Sequence, residues 1–401
     1  MEFNSYSLSI SPQKRIPLQI TNPPVFASWI DCPLEANILV FTENEKVQWL
    51  LISLDLIGLE KVFSLEITCT LEKQFNIDSK KISISCSHTH SGPATMDMWV
   101  HENYPVIEKD EEYLDFLKTA LVNGVKEALK TENKLHMKFG RSICMENVSR
   151  RKIVNGKCEF YIAPENDIDN TVKVWSLLEK NEIKALIVSY SCHPTITNGL
   201  GFISSDWPGH MREKLRKRFG NIPVLFLQGC AGDLTHRIAR DEDTWPAEYG
   251  QKRLEQASLM AEIVLKSVLE AIESSSEISI DSIATVYSKV IFNEKTESLP
   301  IQSVILQSTN SNMLINFIAG EPFSSFDKTI SSAIELEGKF QKENIVTCGY
   351  TNGNLGYIPD SHSHKYGGYE IEVAYRHYRQ EECYPAEAES LIINKLKDMV
   401  G

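Results

Sequence analysis

Three stretches of the chain share one pattern: an apolar run, a polar turn built around Asn, and a second apolar run that ends on a polar residue. Ala36–Phe41 turns at Glu43-Asn44-Glu45 into Val47–Ile57, which carries Asp55. Val172–Leu178 turns at Lys180-Asn181-Glu182 into Lys184–Ser191, which leads to His193. Ser303–Gln307 turns at Thr309-Asn310-Ser311 into Met313–Ala319, which leads to Glu321. The turn Asn stands 11, 12 and 11 positions before Asp55, His193 and Glu321. Asn tolerates the left-handed backbone of a tight hairpin, so each stretch predicts a buried hairpin. A strand that delivers one Asp, His or Glu at its far end places that side chain on a rigid element.

Helical periodicity fills the gaps, over Glu111–Lys130, Trp207–Phe219, Glu248–Glu273, Phe326–Gln341 and Ala386–Val400. Further short apolar runs at Lys81–Ser87, Val224–Leu227 and Asn344–Cys348 read as strands beside Trp49–Ile57, Ala185–Ser191 and Leu314–Ile318. Strands and helices mix throughout, which predicts an α/β fold of mixed β-sheets flanked by helices. No Pro/Gly/Ser-rich linker divides the chain, so residues 1–401 read as one large catalytic domain, although about 150 residues per domain would allow two or three.

Charge narrows the function classes. Lys and Arg number 41 against 54 Asp and Glu, a net charge of −13, which argues against a phosphate-backbone partner and hence against nucleic acid. No apolar window approaches the ~18 residues of a spanning helix. The start, MEFNSYSLSISPQKR, has no apolar stretch behind a basic segment, so the expectation is no signal peptide and a cytoplasmic protein. Nine cysteines, an odd number without any CxxC, read as reduced thiols rather than a disulfide framework or a Cys-based zinc site.

The sharpest local motif is Ser87-His88-Thr89-His90-Ser91-Gly92-Pro93, directly after the apolar run. Alternate residues of an extended chain point the same way, so His88 and His90 can converge on one ion, and imidazole suits zinc. The acids of an HxHxDH pattern and the HExxH of a metalloprotease are both absent. An amidohydrolase barrel can open with HxH too, but regular βα repeats are hard to find after it. Other short motifs close further strands: Ser191-Cys192-His193-Pro194-Thr195, Ser204-Ser205-Asp206, Gly229-Cys230-Ala231-Gly232-Asp233-Leu234-Thr235, Gly320-Glu321-Pro322 and Asn354-Leu355-Gly356-Tyr357. The basic run Arg212–Arg218 reads as a solvated helix face. His362 and His364 read as residues of a rim loop.

In this order the motifs resemble the catalytic domain of the neutral/alkaline non-lysosomal ceramidases, from Ile52-Ser53-Leu54-Asp55 to the final helix. The resemblance implies one zinc ion held by His88, His193, Glu321 and Tyr357. It implies His90 as acid/base beside the metal, with Arg150 and Tyr369 as further active-site residues. Thr235 stands where that family has Ser in Gly-Asp-Val-Ser-Pro-Asn, and reads as a substrate contact. Asp55 and Asp206 are candidates for orienting an imidazole or Arg150. The implied activity is zinc-assisted hydrolysis of an N-acyl amide, as in ceramide, with a small-molecule amide or lipid-like substrate. Two alternatives stand beside it: a zinc amidase for a small polar amide, and a non-catalytic metal-binding protein. The C-terminal β-domain of the family's long members has no counterpart here, which bears on the substrate rather than on the metal chemistry.

Overall fold

The computed structural model describes residues 1–20, 25–27, 29–99, 106–130, 133–238, 250–292, 297–309 and 311–401. Its architecture is one motif used three times. In the first unit a leading strand β1 (Glu2–Ser9) pairs with the hairpin β2 (Glu35–Glu43) and β3 (Lys46–Leu54). Helix α1 (Lys61–Phe75) then returns the chain to β4 (Ile82–Cys86), parallel to β3. Helix α2 (Glu111–Ala128) packs on the outside of this sheet, capped by the Asp110 carboxylate, which accepts from Tyr113 N.

The second unit repeats the order. Strand β5 (His136–Ile143) leads, and a side hairpin of β6 (Asn147–Val154) and β7 (Lys157–Ala163) follows. Next come β8 (Thr171–Glu179), β9 (Glu182–Tyr190), α3 (Asp206–Phe219) and β10 (Val224–Gln228), with β10 parallel to β9. Strand β11 (Leu234–His236) pairs with β6, and α4 (Gly250–Glu273) covers the sheet. The third unit runs β12 (Ser282–Val290), β13 (Leu299–Gln307), β14 (Met313–Ile318), the short β15 (Glu321–Pro322), α5 (Ser325–Glu335) and β16 (Ile345–Cys348). Strand β16 is parallel to β14. The short β17 (Tyr357–Ile358) lies beside β15, and α6 (Ala388–Val400) closes the chain. The sheet orders are β4-β3-β2-β1, β10-β9-β8-β5 and β16-β14-β13-β12.

The hairpins form as the sequence predicts. Asn44 and Glu45 have φ of 50° and 62°, and Lys180 and Asn181 have 50° and 67°, the two left-handed residues of a type I′ turn. Asn310, the turn residue of the third hairpin, lies outside the described residues, as does Glu248 at the predicted start of α4. Helix α5 ends at Glu335, short of the predicted Gln341, with Gly338 at φ 77° just beyond.

Strand alternation explains the near-continuous apolar runs, because both faces of each sheet are buried. Leu39, Phe41 and Trp49 of the first unit, Trp175, Leu177 and Ile187 of the second, and Val304, Ile315 and Phe317 of the third share one central core. The opposite faces pack on helices: the first sheet on α1 and α2, the second on α3 and α4, the third on α5 and α6.

The three sheets are tied together at one end. Cys86 N donates to Tyr350 O at 2.9 Å, Gly349 N to Gln228 O at 3.1 Å, and Ser53 Oγ to Phe226 O at 2.7 Å. Buried charges join the same neighbours. Arg212 of α3 reaches Asp55 at 2.6 Å and Glu35 at 3.2 Å, and Lys173 of β8 reaches Asp327 of α5 at 2.7 Å. The basic run is thus not simply a solvated face: Arg212 is buried and Arg216 pairs with Glu35, while Lys217 and Arg218 remain exposed. A helix one turn of which faces a neighbouring sheet must bury the residues at i and i+4 together. All nine cysteines are free thiols, and among the described residues no helix is long and apolar enough to cross a membrane.

Candidate metal centre

The joined ends of the three sheets carry the imidazoles. His88 follows β4, with Ser87 N bonded to Leu54 O and His88 N to Leu56 O. Its φ of 70° is left-handed, so His88 and His90 do not converge by strand alternation as predicted. They converge because the chain breaks out of the extended state at His88, a conformation a non-glycine residue keeps only where its surroundings enforce it. The His88 Nδ1 lies 2.6 Å from Ile57 O, a carbonyl that can only accept. Nδ1 therefore carries the proton, and Nε2 presents its lone pair inward.

Around that lone pair the ligating atoms of His88, His90 and His193 all lie within 4.8 Å of one another. His90 Nε2 is 3.2 Å from His88 Nε2. His193 extends from the end of β9 and is fully buried. Neither of its ring nitrogens has a hydrogen-bond partner among the described residues. Glu321, fully buried at the start of β15, brings Oε2 to 3.4 Å from both His88 Nε2 and His193 Nε2. Gly232 makes that approach possible, since a Cβ there would meet Glu321 O at 2.4 Å.

Burial lowers the pKa of all three imidazoles, His193 to about 3, and the presence of the others lowers His90 further. Near neutral pH they are uncharged. Among the described residues no Lys or Arg lies within ion-pair distance of Glu321. A buried carboxylate among neutral imidazoles lacks a counter-charge, and buried charges are paired or coordinate metals. The donor set, with two ring nitrogens 3.4 Å from one carboxylate oxygen and no proton on His88 Nε2, fits a bound cation.

The other candidates arrange themselves around this centre. Tyr357 lies opposite Glu321 on β17, and its hydroxyl accepts from Arg150 Nη2 at 3.1 Å. Arg150, on β6, also donates from Nη2 to Gly232 O and from Nε to Glu370 Oε1 at 3.0 Å. Tyr369 packs its ring edge on Tyr357 and on Phe160. Thr235 is buried in β11 opposite Val148, and none of the side-chain bonds that join the centre involves it.

Asp55 and Asp206 do not orient an imidazole or Arg150. Asp55 is spent on Arg212 and on Glu35 N, at 2.9 Å. Asp206 accepts from Thr197 N and Oγ1, both at 2.7 Å, and so shapes the loop after His193. His362 caps and His364 lies in the 3-10 turn Ser363–Tyr366, and neither belongs to the cluster. Sequence reasoning gave no role to three contributors, of which only Glu370, beside Tyr369, stood in a motif. The Tyr350 ring lies against His88, with centroids 4.4 Å apart, and its hydroxyl is 3.3 Å from Glu321 Oε2. The Tyr378 hydroxyl donates to Glu321 Oε1. Glu370 bridges Arg150 and Arg151.

Fold and centre together define a class: an α/β protein with a buried imidazole–carboxylate cluster suited to a metal ion. More particularly, the fold is that of a neutral ceramidase. The structure matches neutral ceramidase from Pseudomonas aeruginosa with a TM-score of 0.80 at 14% identity, over 99% of this chain and 73% of that one. It matches a ceramidase complexed with C2 with a TM-score of 0.76, also at 14% identity, over 99% of this chain and 74% of that one. No protein-family model and no curated protein matches the sequence.

Proposed function

We propose that the chain is a zinc-dependent amidohydrolase that splits an N-acyl amide of lipid character, in the manner of a ceramidase, with residues 1–401 acting as one catalytic unit. The observation that carries this reading is the buried Glu321 carboxylate facing two neutral imidazoles, with no Lys or Arg among the described residues within ion-pair distance of it. His88, His193 and Glu321, with Tyr357, would hold the ion. When bound, it would supply Lewis acidity and a water acidic enough to react near neutral pH.

The remaining roles belong to the chain. His90 is the least covered of the three histidines and is neutral, so it can accept a proton from the attacking water and return it to the departing amine. Arg150 and Tyr369 supply donors for the carbonyl oxygen as it gains charge. Arg150 is held ready by Glu370 and Gly232 O, which leaves little reorganisation for the reaction itself. Thr235 serves as a substrate contact. The acyl group meets an apolar approach: Phe160 and Tyr161, both nearly half exposed, stand on the hairpin that carries Arg150, and Arg150 lies over the Phe160 ring at 5.1 Å. That surface favours a lipid-like acyl chain over a small polar one.

The test is hydrolase profiling of metal-loaded protein against ceramide and shorter N-acyl amides, with His88→Ala as control. Release of fatty acid from ceramide, abolished in His88→Ala, is the expected result. Activity confined to short polar amides would assign the second substrate class. Activity that survives both His88→Ala and chelation would overturn the metal mechanism.

A further inference from the structure

The two oxygens of Glu321 are not equivalent. Oε2 faces the imidazoles, at 3.4 Å from each Nε2, and receives the Tyr350 hydroxyl at 3.3 Å. Oε1 receives the hydroxyl of Tyr378, from the 3-10 turn Ala374–Tyr378. A carboxylate free to rotate about its last bond could turn its plane and offer both oxygens to an ion. Hydroxyls on both oxygens fix that plane, because a partial rotation would leave the buried Tyr378 hydroxyl without its acceptor.

Tyr378 is itself held from three sides. Asn354 Nδ2 donates to its hydroxyl at 3.3 Å. Its ring meets the edge of Tyr357 with centroids 6.2 Å apart. Gly356 leaves the room: at φ 86° a Cβ there would lie 2.8 Å from the Tyr378 ring. The backbone agrees with this arrangement, since Gly356 O accepts from Glu321 N at 2.8 Å. One loop thus supplies Asn354, Gly356 and Tyr357, and it fixes both the ligand carboxylate and the phenol that holds it.

We propose that Tyr378 is a positioning residue for the metal centre: by holding Glu321 Oε1 it would keep Oε2 as the oxygen presented to the imidazoles and to an ion bound among them. This inference rests on the metal reading above. Its chemistry is that of an outer partner that orients a ligand, an effect worth about 10–100-fold in metal affinity.

The experiment is zinc titration in competition with a chromophoric chelator, on wild type, Tyr378→Phe, Glu321→Gln and the double variant, with thermal melts of each apo protein. Wild type is expected to bind one ion, and Tyr378→Phe to bind it about 10–100-fold more weakly while melting within a few degrees of wild type. In the Glu321→Gln background the same change is expected to add less than a further twofold loss, because the group through which Tyr378 acts has already been neutralised. A hydroxyl that merely supports the fold would lower the melting temperature in both backgrounds and leave affinity unchanged. Wild-type affinity in Tyr378→Phe, or full additivity in the double variant, would overturn the inference alone. Failure of the wild type to bind any ion would overturn the metal reading and this inference with it.

Discussion

The first of the three units differs from the other two in the part of its strands that reaches the centre. In the second and third, the side chain three residues beyond the inner hairpin strand turns inward: His193 after Tyr190, Glu321 after Ile318. The matching position in the first unit is Ile57, after Leu54, and it contributes only its carbonyl oxygen, to His88 Nδ1. There the inward side chain comes instead from beyond the parallel strand, His88 after Cys86. The parallel strands of the other units are followed by Gly229 and Gly349, which let the backbones close on each other. One scaffold used three times therefore delivers the side chains of the cluster from two kinds of position, and in the first unit the position that elsewhere carries a side chain offers a carbonyl that orients His88 of the same unit. Asp55, the polar end of the first hairpin, is left to bind that unit to α3.

Removing the inward side chains is the largest way to break this comparison. His193→Ala is expected to abolish both metal retention and hydrolysis, and Glu321→Gln to abolish hydrolysis while still binding metal measurably but more weakly, as read by zinc titration and product release. Asp55→Asn is expected to spare the metal site and act on the fold. It leaves the buried Arg212 guanidinium with Glu35 as its remaining partner, at a cost of about 3–5 kcal/mol in denaturant unfolding. A variant that lost metal without losing stability would place Asp55 at the centre after all.

A smaller effect comes from Asp233, whose carboxyl burial pushes up to about 6 from the ordinary 3.8 despite the bonds from Ser324 N and Oγ. Because the folded-state value is the higher one, the native state binds the proton more tightly. That contribution is full below about pH 4 and is lost as pH rises to about 6. The two-unit difference corresponds to roughly 2–3 kcal/mol. Asp233→Asn should flatten that part of the stability–pH curve, and an unchanged curve would contradict the assignment. The smallest expected effect is in Glu370→Gln, which weakens the hold on Arg150. The expectation is about a tenfold lower kcat with metal content unchanged, by analogy with a misplaced donor to developing charge.

The features legible in the sequence were those fixed by neighbours along the chain. Asn44 and Asn181 marked turns because the left-handed backbone they adopt is a local property. The string from His88 to Pro93 and the ends at His193 and Glu321 stood out for the same reason. Helix α1 was missed because its buried face includes Ser64 and Thr68 beside Phe63, Ile67 and Leu71, so the apolar stripe is broken. The pairing of Asp55 with Arg212 joins residues far apart in the chain, and the basic run gave no sign of which cations turn inward. Tyr350 and Tyr378 sit in loops without a motif, and their roles exist only once Glu321 has been placed. The left-handed turn at His88 was hidden because a histidine seldom adopts it.

The account stands on one ion at the meeting point of three strand ends, two alike and one different. Anomalous diffraction at the zinc edge, on crystals grown with zinc, tests it most directly. The expected result is a single strong peak within bonding distance of His88 Nε2, His193 Nε2, Glu321 Oε2 and the Tyr357 hydroxyl, with Glu321 Oε1 still bonded to Tyr378. A centre without a peak, or a peak bound to other residues, would contradict it.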